Sequence, residues 1–325
     1  METFGDAALA ERLAATWATT GRIGAMATLT PDGVAVASHG APLTADYEIG
    51  SISKGVTGLL FCDAVDRGEV TADATVADFL PLGGTAVGRV SLASLSTHTS
   101  GLPSLPPAAH PVKRTVRLWR HGTNPYGESL AELCDQVRGL TPGKAKFAYS
   151  NLGFQLLGHC VAAASGHSYA DLVRLRVAEP LRLGSFRVVT VVTELGAESL
   201  LGVNRFGKEQ EAWTGEALAP AGGIRASIES MATFTEALRT GAAPGLRALE
   251  PSTQVRRGLR IGAGWITLQK GTHAITWHNG GTGGFRSWLG VDRERGVGAV
   301  VLGATSRSVD RLGFDLLASL GRDAG

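Results

Sequence analysis

The hydrophobic pattern divides the chain into two ends rich in strands and a middle rich in helices. Residues 6–19 place apolar side chains at helical spacing. Two strands, over 22–30 and 34–38, are predicted next, because a Pro-Asp-Gly turn signal separates them. A short strand over 46–49 then leads into a helix that starts at Ser51. The N-terminal segment therefore predicts part of a sheet followed by a buried helix.

The helix that starts at Ser51 combines an apolar stripe with two internal glycines. The apolar positions on one face are Ile52, Val56, Leu59, Leu60 and Ala64. Gly55 and Gly58 each cost about 1 kcal/mol relative to alanine inside a helix. This cost predicts that neighbouring backbone packs very closely against them, and Gly68 is the predicted stop of the helix.

The remaining chain returns from helices to strands. Residues 70–220 predict helices separated by loops rich in proline and glycine. The C-terminal part predicts strands over 261–268, 273–278, 286–291 and 297–304, and a last helix over 308–320.

This order of elements predicts an α/β (α+β) fold. Strands at both ends favour one antiparallel sheet that is built from both termini and flanked by helices, with a mainly helical region inserted between them. We predict a single domain over 1–325, in which 1–69 and 221–325 form the sheet part and 70–220 the helical part.

Composition narrows the function classes without changing the fold prediction. The chain of 325 residues is 44% hydrophobic and 18% charged, with a net charge of +2 and no basic stripe, so we expect no nucleic-acid partner. No apolar run approaches the ~20 residues of a membrane span, and the acidic N-terminus lacks the features of a secretory signal. We therefore expect a cytoplasmic protein without membrane contact. The sequence leaves the oligomeric state open.

Cysteine spacing predicts neither disulfides nor a metal. Cys62, Cys134 and Cys160 are odd in number and form no C-x-x-C pair. We expect reduced, structural thiols, no metal site and no cofactor.

The first candidate for chemistry is Ser51, with Lys54 three positions later. This spacing places both side chains on one face of a helix. A serine hydroxyl is a weak nucleophile that needs an adjacent base, and a desolvated lysine can lose its proton and serve as that base. Since S-x-x-K also occurs by chance in long chains, its meaning depends on the motifs that follow.

A second candidate segment places Tyr149 two positions before Asn151, where a loop opens a helix. The phenol can shuttle a proton, and the carboxamide is a neutral hydrogen-bond donor. We expect the ammonium group of Lys54 to lower the pKa of Tyr149 from about 10, so that the phenol can act as a base. A core tyrosine and a helix cap are the alternative interpretation.

A third candidate segment begins at His278, with Gly280 and Gly281 after it. The pattern predicts a strand, a glycine loop and another strand. Backbone N–H groups at such a glycine-rich edge can stabilise an oxyanion.

S-x-x-K, Y-x-N and H-x-G, in this order and at these separations, resemble the serine β-lactamase/penicillin-binding protein superfamily. The chain is most similar to the class C-like branch, which also holds family VIII esterases, D-amino-acid peptidases and certain transacylases. The resemblance extends over about residues 20–320 and includes three flanking segments, at 95–103, 149–158 and 220–226. It implies the β-lactamase/transpeptidase-like fold.

The resemblance also implies roles for individual residues. Ser51 would be the acylated nucleophile and Lys54 its activating base. Tyr149 would relay protons to the leaving group and later to the acceptor, and Asn151 would orient Lys54 and the substrate. The backbone N–H groups of Ser51 and Gly281 would form the oxyanion hole.

His278 departs from the pattern of many relatives, because they carry the lysine of K-T-G at this position. A lysine would offer a permanent cation to a substrate carboxylate, whereas histidine is mostly neutral at cytosolic pH. This difference favours neutral ester or amide substrates over β-lactams. Whether His278 is catalytic or structural stays open, and Arg286 could meet an anionic substrate or pair on the surface.

The sequence therefore predicts a serine-dependent hydrolase that acts on a small-molecule ester or amide through an acyl-Ser51 intermediate. Esterase or amidase activity is favoured over true β-lactamase activity. One alternative is a transacylase that moves the acyl group to an amine or alcohol, and another is a catalytically idle sensor on the same fold. The acyl group, the leaving group and the acceptor are not identified by the sequence.

Overall fold

The computed structural model describes residues 1–17, 22–71, 73–107 and 121–320. Its strands are β1 (Thr3–Gly5), β2 (Gly24–Thr30), β3 (Gly33–His39), β4 (Asp46–Glu48), β5 (Phe186–Val188), β6 (Ile224–Ser227), β7 (Thr253–Arg256), β8 (Leu259–Ile261), β9 (Ile266–Lys270), β10 (His273–Gly281), β11 (Arg286–Asp292) and β12 (Val297–Gly303). Its α-helices are α1 (Ala7–Trp17), α2 (Ile52–Asp66), α3 (Leu92–Ser96), α4 (Leu130–Val137), α5 (Asn151–Ser165), α6 (Tyr169–Val173), α7 (Ala219–Gly222), α8 (Ile228–Thr240) and α9 (Asp310–Leu320).

Nine strands form one antiparallel sheet in the order β1-β3-β2-β12-β11-β10-β9-β8-β7. N-terminal and C-terminal strands meet where β2 pairs with β12, which confirms the predicted sheet built from both termini. Strand β12 is a continuous apolar run that is buried along its whole length. Helices α1 and α9 cover one face of the sheet, and α2 and α8 cover the other. The strands β4, β6 and β5 form a second sheet in that order, and the chain passes from β4 directly into α2.

Helix α2 confirms the close approach that its two glycines predict. A β-carbon on Gly58 would clash with the backbone carbonyl of Ala263, and one on Gly55 would lie 2.6 Å from the indole ring of Trp265. The Trp265 indole N–H donates to the carbonyl of Gly55 at 3.1 Å. Gly68, at φ +72°, follows the end of the helix, as predicted.

Two predicted strand boundaries were wrong. The strand predicted over 261–268 is split into β8 and β9, because the segment between them turns aside to pack on α2, with the N–H of Gly264 bonded to the carbonyl of Ser96 at 3.0 Å. Strand β10 continues past His278 to Gly281, so Gly280 and Gly281 lie in the strand and not in a loop.

The helices of the described ranges include none that is long and apolar enough to cross a membrane.

Candidate active site

Ser51 lies at the N-terminus of α2, directly after Gly50, which adopts a left-handed φ of +52°. The Ser51 side chain does not cap the helix. Its Oγ instead accepts a hydrogen bond from the Lys54 Nζ at 3.0 Å. The turn before the helix therefore leaves the hydroxyl available to the lysine, as the S-x-x-K spacing predicts.

Lys54 is fully buried, and its Nζ also donates to the carbonyl of Ala221 at 2.6 Å. In the described part of the chain it forms no ion pair. Burial alone lowers its pKa to about 7. At neutral pH a large fraction of this amine is unprotonated, and it lies within hydrogen-bond distance of the Ser51 hydroxyl. This arrangement meets the geometric requirement for a general base.

Tyr149 completes the cluster, with its ring 5.1 Å from the Lys54 Nζ and its side chain hydrogen-bonded to Ser51. The residue as a whole is 38% exposed. Desolvation of its hydroxyl nevertheless raises the pKa to about 12, against the smaller lowering effect of the Ser51 hydrogen bond. The predicted fall in the Tyr149 pKa was therefore wrong. Because Lys54 loses its proton near pH 7, it carries no charge at the pH where the phenol titrates, and the phenol stays protonated as a hydrogen-bond donor at neutral pH.

His98 is a further residue of the site, which the sequence indicated only through its place in the segment 95–103. It is buried, with its ring 4.5 Å from that of Tyr149, and its Nδ1 accepts the N–H of Ser150 at 3.0 Å. It also adopts a φ of +57°, which is uncommon outside glycine. These contacts fix the position of Tyr149 relative to Ser51.

Asn151 is the first residue of α5, and its N–H donates to the carbonyl of Ser104 at 2.9 Å. In the described part of the chain, the Asn151 side chain makes no hydrogen bond to Lys54. The Lys54 Nζ donates instead to the Ser51 Oγ and to the carbonyl of Ala221. Orientation of Lys54 or substrate by Asn151 therefore stays a prediction.

His278 lies in β10 on the side of the sheet that faces α2, and it is 1% exposed. Its Nδ1 bonds to the carbonyl of Asn279 at 2.6 Å, which assigns the proton to Nδ1. Burial, and then the charge of Lys54, lower its pKa to about 3. The ring is neutral at cellular pH, as expected, and the lone pair of its Nε2 finds no donor among the described residues.

Strand β10 packs directly against the turn that precedes Ser51. The Ser287 hydroxyl on the neighbouring strand donates to the carbonyl of Ile49 at 2.7 Å. A β-carbon on Gly280 would clash with that same carbonyl, and one on Gly50 would lie 2.6 Å from the nitrogen of Gly281. Glycines at 50 and 280 are thus required for the helix start to reach the strand.

The register of β10 sets the direction of the Gly281 N–H. The N–H of Thr282 bonds to the carbonyl of Phe285 at 3.1 Å. Since hydrogen-bonded and non-hydrogen-bonded pairs alternate in antiparallel ladders, the preceding pair, Gly281 with Arg286, is of the non-bonded type. The Gly281 N–H therefore points away from β11, beyond the point where pairing with β9 stops at Trp277. Together with the N–H of Ser51, it can donate to an oxyanion.

Replacement of Tyr149 with phenylalanine is expected to lower kcat for ester cleavage by roughly 10²-fold, the size of a typical acid–base contribution. The ring would keep its contact with His98, so only the hydroxyl beside Ser51 is lost. Steady-state kinetics of the variant measure this effect. Tyr169→Phe, which removes a buried hydroxyl that contacts Thr57 and not Ser51, is the matched control. An unchanged kcat in Tyr149→Phe would exclude the phenol from proton transfer.

No group of three or more His, Cys, Asp or Glu side chains in the described ranges is placed to hold a metal ion.

The family model described as Beta-lactamase matches residues 9–320. The D-alanyl-D-alanine-carboxypeptidase/endopeptidase AmpH of Escherichia coli K12 is 25% identical over 287 residues, which cover 78% of this chain and 69% of the relative. A β-lactamase of Pseudomonas fluorescens is 23% identical over 312 residues and 83% of each chain.

Two solved structures share the fold over nearly the whole chain. A class C β-lactamase from Rhodobacter sphaeroides superposes with a TM-score of 0.77 at 20% identity, over 98% of this chain and 99% of the other. A β-lactamase/D-alanine carboxypeptidase from Pseudomonas syringae gives a TM-score of 0.80 at 18% identity, with the same coverage. The predicted β-lactamase/transpeptidase-like fold is confirmed.

Proposed function

The chain belongs to the Beta-lactamase family, and we propose that it cleaves a small-molecule ester or amide through an acyl-Ser51 intermediate, as an esterase or amidase and not as a true β-lactamase. The observation that carries the proposal is the 3.0 Å contact between the Ser51 hydroxyl and the amine of Lys54, which burial holds at a pKa of about 7. Homologues with this fold are serine hydrolases. The cytoplasmic location stays a prediction.

In the proposed reaction, Lys54 takes the proton of the Ser51 hydroxyl while the Ser51 Oγ bonds to the carbonyl carbon of the substrate. The resulting oxyanion accepts hydrogen bonds from the N–H groups of Ser51 and Gly281. As the tetrahedral intermediate collapses, the carbon–leaving-group bond breaks, and the proton passes from Lys54, through the Tyr149 hydroxyl, to the leaving group. A water molecule then attacks the carbonyl carbon of acyl-Ser51 and loses a proton to the same groups. The bond between this carbon and the Ser51 Oγ breaks, the Oγ takes the proton back, and the free acid leaves.

The neutral state of His278 supports the preference against β-lactams. The ring is buried beside Lys54, and burial opposes its protonation. No permanent cation therefore stands at the strand position from which many relatives extend a lysine. A carboxylate next to the scissile bond gains no ion pair from this position.

A panel of three substrates tests this preference: a short-chain nitrophenyl ester, a chromogenic cephalosporin and a D-alanyl-D-alanine peptide. We expect the highest kcat/KM for the ester and the lowest for the cephalosporin. The peptide is included because one relative is named as a D-alanyl-D-alanine carboxypeptidase. A cephalosporin turned over faster than the ester would overturn the assignment.

Product analysis of the same reaction identifies the acceptor. With an added primary amine or alcohol, we expect free acid to remain the main product, because water is the proposed acceptor. If the acylated amine or alcohol forms faster than free acid, the protein is a transacylase with the same acyl-Ser51 chemistry. If no substrate and no serine-reactive phosphonate labels Ser51, the protein is an idle sensor and the proposed function is wrong.

A further inference from the structure

A cavity of about 390 Å³ lies between the loop 203–213 and the turn that joins β10 to β11. This turn begins directly after Gly281, whose N–H is the proposed oxyanion donor. Its nine lining residues include Arg205, Trp213, Gly283 and Arg286. Two of these side chains are cationic and none is a carboxylate. The cavity therefore favours an anionic or polar occupant.

Arg286 supplies a half-buried guanidinium to this cavity. Its Nη1 donates to the carbonyls of Thr282 and Phe285 at 2.7 and 2.8 Å. In the described part of the chain, Arg286 forms no ion pair. The nearby Asp310 only partly offsets the burial that lowers the Arg286 pKa, and it already accepts the amide of Asn279 at 3.0 Å. Since a buried charge is normally paired, this guanidinium is suited to pair with an anion from a ligand.

Trp213 offers a second donor on the opposite wall. Its indole Nε1 is buried without a hydrogen-bond partner among the described residues, and it lies 3.1 Å from the place that a β-carbon on Gly283 would take. Its backbone N–H donates to the Glu48 carboxylate at 2.8 Å, and its ring packs 4.9 Å from that of Tyr126. The wall is thus held in place while its indole N–H remains available.

The cavity adjoins the site of acylation. A β-carbon on Gly281 would lie 2.9 Å from Nη1 of Arg286, so the guanidinium covers the strand that carries the oxyanion donor. The leaving group must face Lys54 and Tyr149, which supply its proton, and neither residue lines the cavity. The acyl chain is therefore the part of the substrate that can extend into it.

We propose that this cavity binds a carboxylate at the far end of the acyl group, so that the preferred substrates are half-esters or half-amides of dicarboxylic acids. The inference rests on the proposed acyl-Ser51 chemistry. It revises the expectation of a wholly neutral substrate: the surroundings of the scissile bond are uncharged, and the anion lies beyond Gly281. Of the two roles left open for Arg286, it selects recognition of an anionic substrate.

Two nitrophenyl esters of equal acyl length test the proposal: the monoester of adipate, which carries the distal carboxylate, and the ester of hexanoate, which does not. We expect kcat/KM to favour the adipate ester by about 10- to 100-fold, the usual worth of a hydrogen-bonded charge. In Arg286→Gln this ratio is expected to fall to near one. Trp213→Phe, which keeps an aromatic ring and removes the indole donor, is expected to lower it about fivefold.

Arg311→Gln is the matched control, because this arginine lies on α9 with its side chain 95% exposed, and we expect an unchanged ratio. Enzyme-free hydrolysis of each ester is subtracted. A wild-type ratio near one, or a ratio unaffected in both Arg286→Gln and Trp213→Phe, would overturn the proposal. If both variants lose kcat/KM equally on both esters, Arg286 and Trp213 have a structural role only, and the proposal is likewise overturned. Ser51-dependent turnover in these cases would leave the proposed function standing, whereas the absence of such turnover with both esters would remove the function itself.

Discussion

Replacing Ser51 with alanine is expected to lower kcat/KM for the best ester by about 10⁴- to 10⁶-fold, the loss seen when a catalytic serine is removed from other hydrolases. The residual rate would come from the backbone N–H groups at positions 51 and 281, which remain able to polarise the carbonyl. The Ser51 side chain does not cap α2, so its removal costs the helix little. Steady-state kinetics and thermal unfolding, measured together, check both statements.

Ser53→Ala is the matched control for this prediction. Ser53 lies in the same turn of α2, but it is fully buried, and its hydroxyl accepts the N–H of Ile224 at 3.3 Å. We expect it to lower stability by about 1 kcal/mol and to leave kcat/KM within a few-fold of the wild type. Ser51→Ala retaining more than a tenth of wild-type activity would contradict the nucleophile assignment.

Replacing Lys54 with methionine is expected to lower kcat/KM by about 10²- to 10⁴-fold, because the variant keeps the volume of the side chain and loses the base. The wild-type pH profile provides a second measure. Only the unprotonated amine accepts the Ser51 proton, so activity should rise with pH through about 7, the pKa that burial gives Lys54. We expect kcat/KM to be about tenfold lower at pH 6 than on the plateau above pH 8.

The control for the lysine variant is Lys270→Met, at the exposed end of β9. It removes the same charge far from the site, and we expect both the rate and the pH profile to be unchanged. A wild-type kcat/KM that is flat between pH 5.5 and 8.5 would show that no group with a pKa near 7 acts in the free enzyme.

Local patterns were sufficient to predict the sheet and the nucleophile helix. The continuous apolar run of β12 and the turn signal after β2 define central strands by themselves. Gly55 and Gly58 indicated close packing on α2, and the structure shows the contacts with Trp265 and Ala263. The spacing of Ser51 and Lys54 fixes their contact because both lie in one helical turn.

Features that depend on distant segments were not predictable. The pKa of Tyr149 is set mainly by desolvation within the folded site, so the predicted fall in this pKa had the wrong direction. The carbonyl that holds the Lys54 Nζ belongs to Ala221, and no side-chain pattern marks a backbone acceptor. The pairing of β10 through Gly281 depends on β11, which overrides the preference of glycine for loops.

Mass spectrometry of the acylated enzyme tests the central claim most directly. Wild-type protein is mixed with a slowly deacylating nitrophenyl ester, quenched in acid and analysed intact and after proteolysis. We expect one acyl group per chain, located on Ser51, with none on Ser51→Ala and a strongly reduced amount on Lys54→Met. Turnover of the ester by a protein whose acyl group resides on another residue, or on none at any time point, would contradict the account.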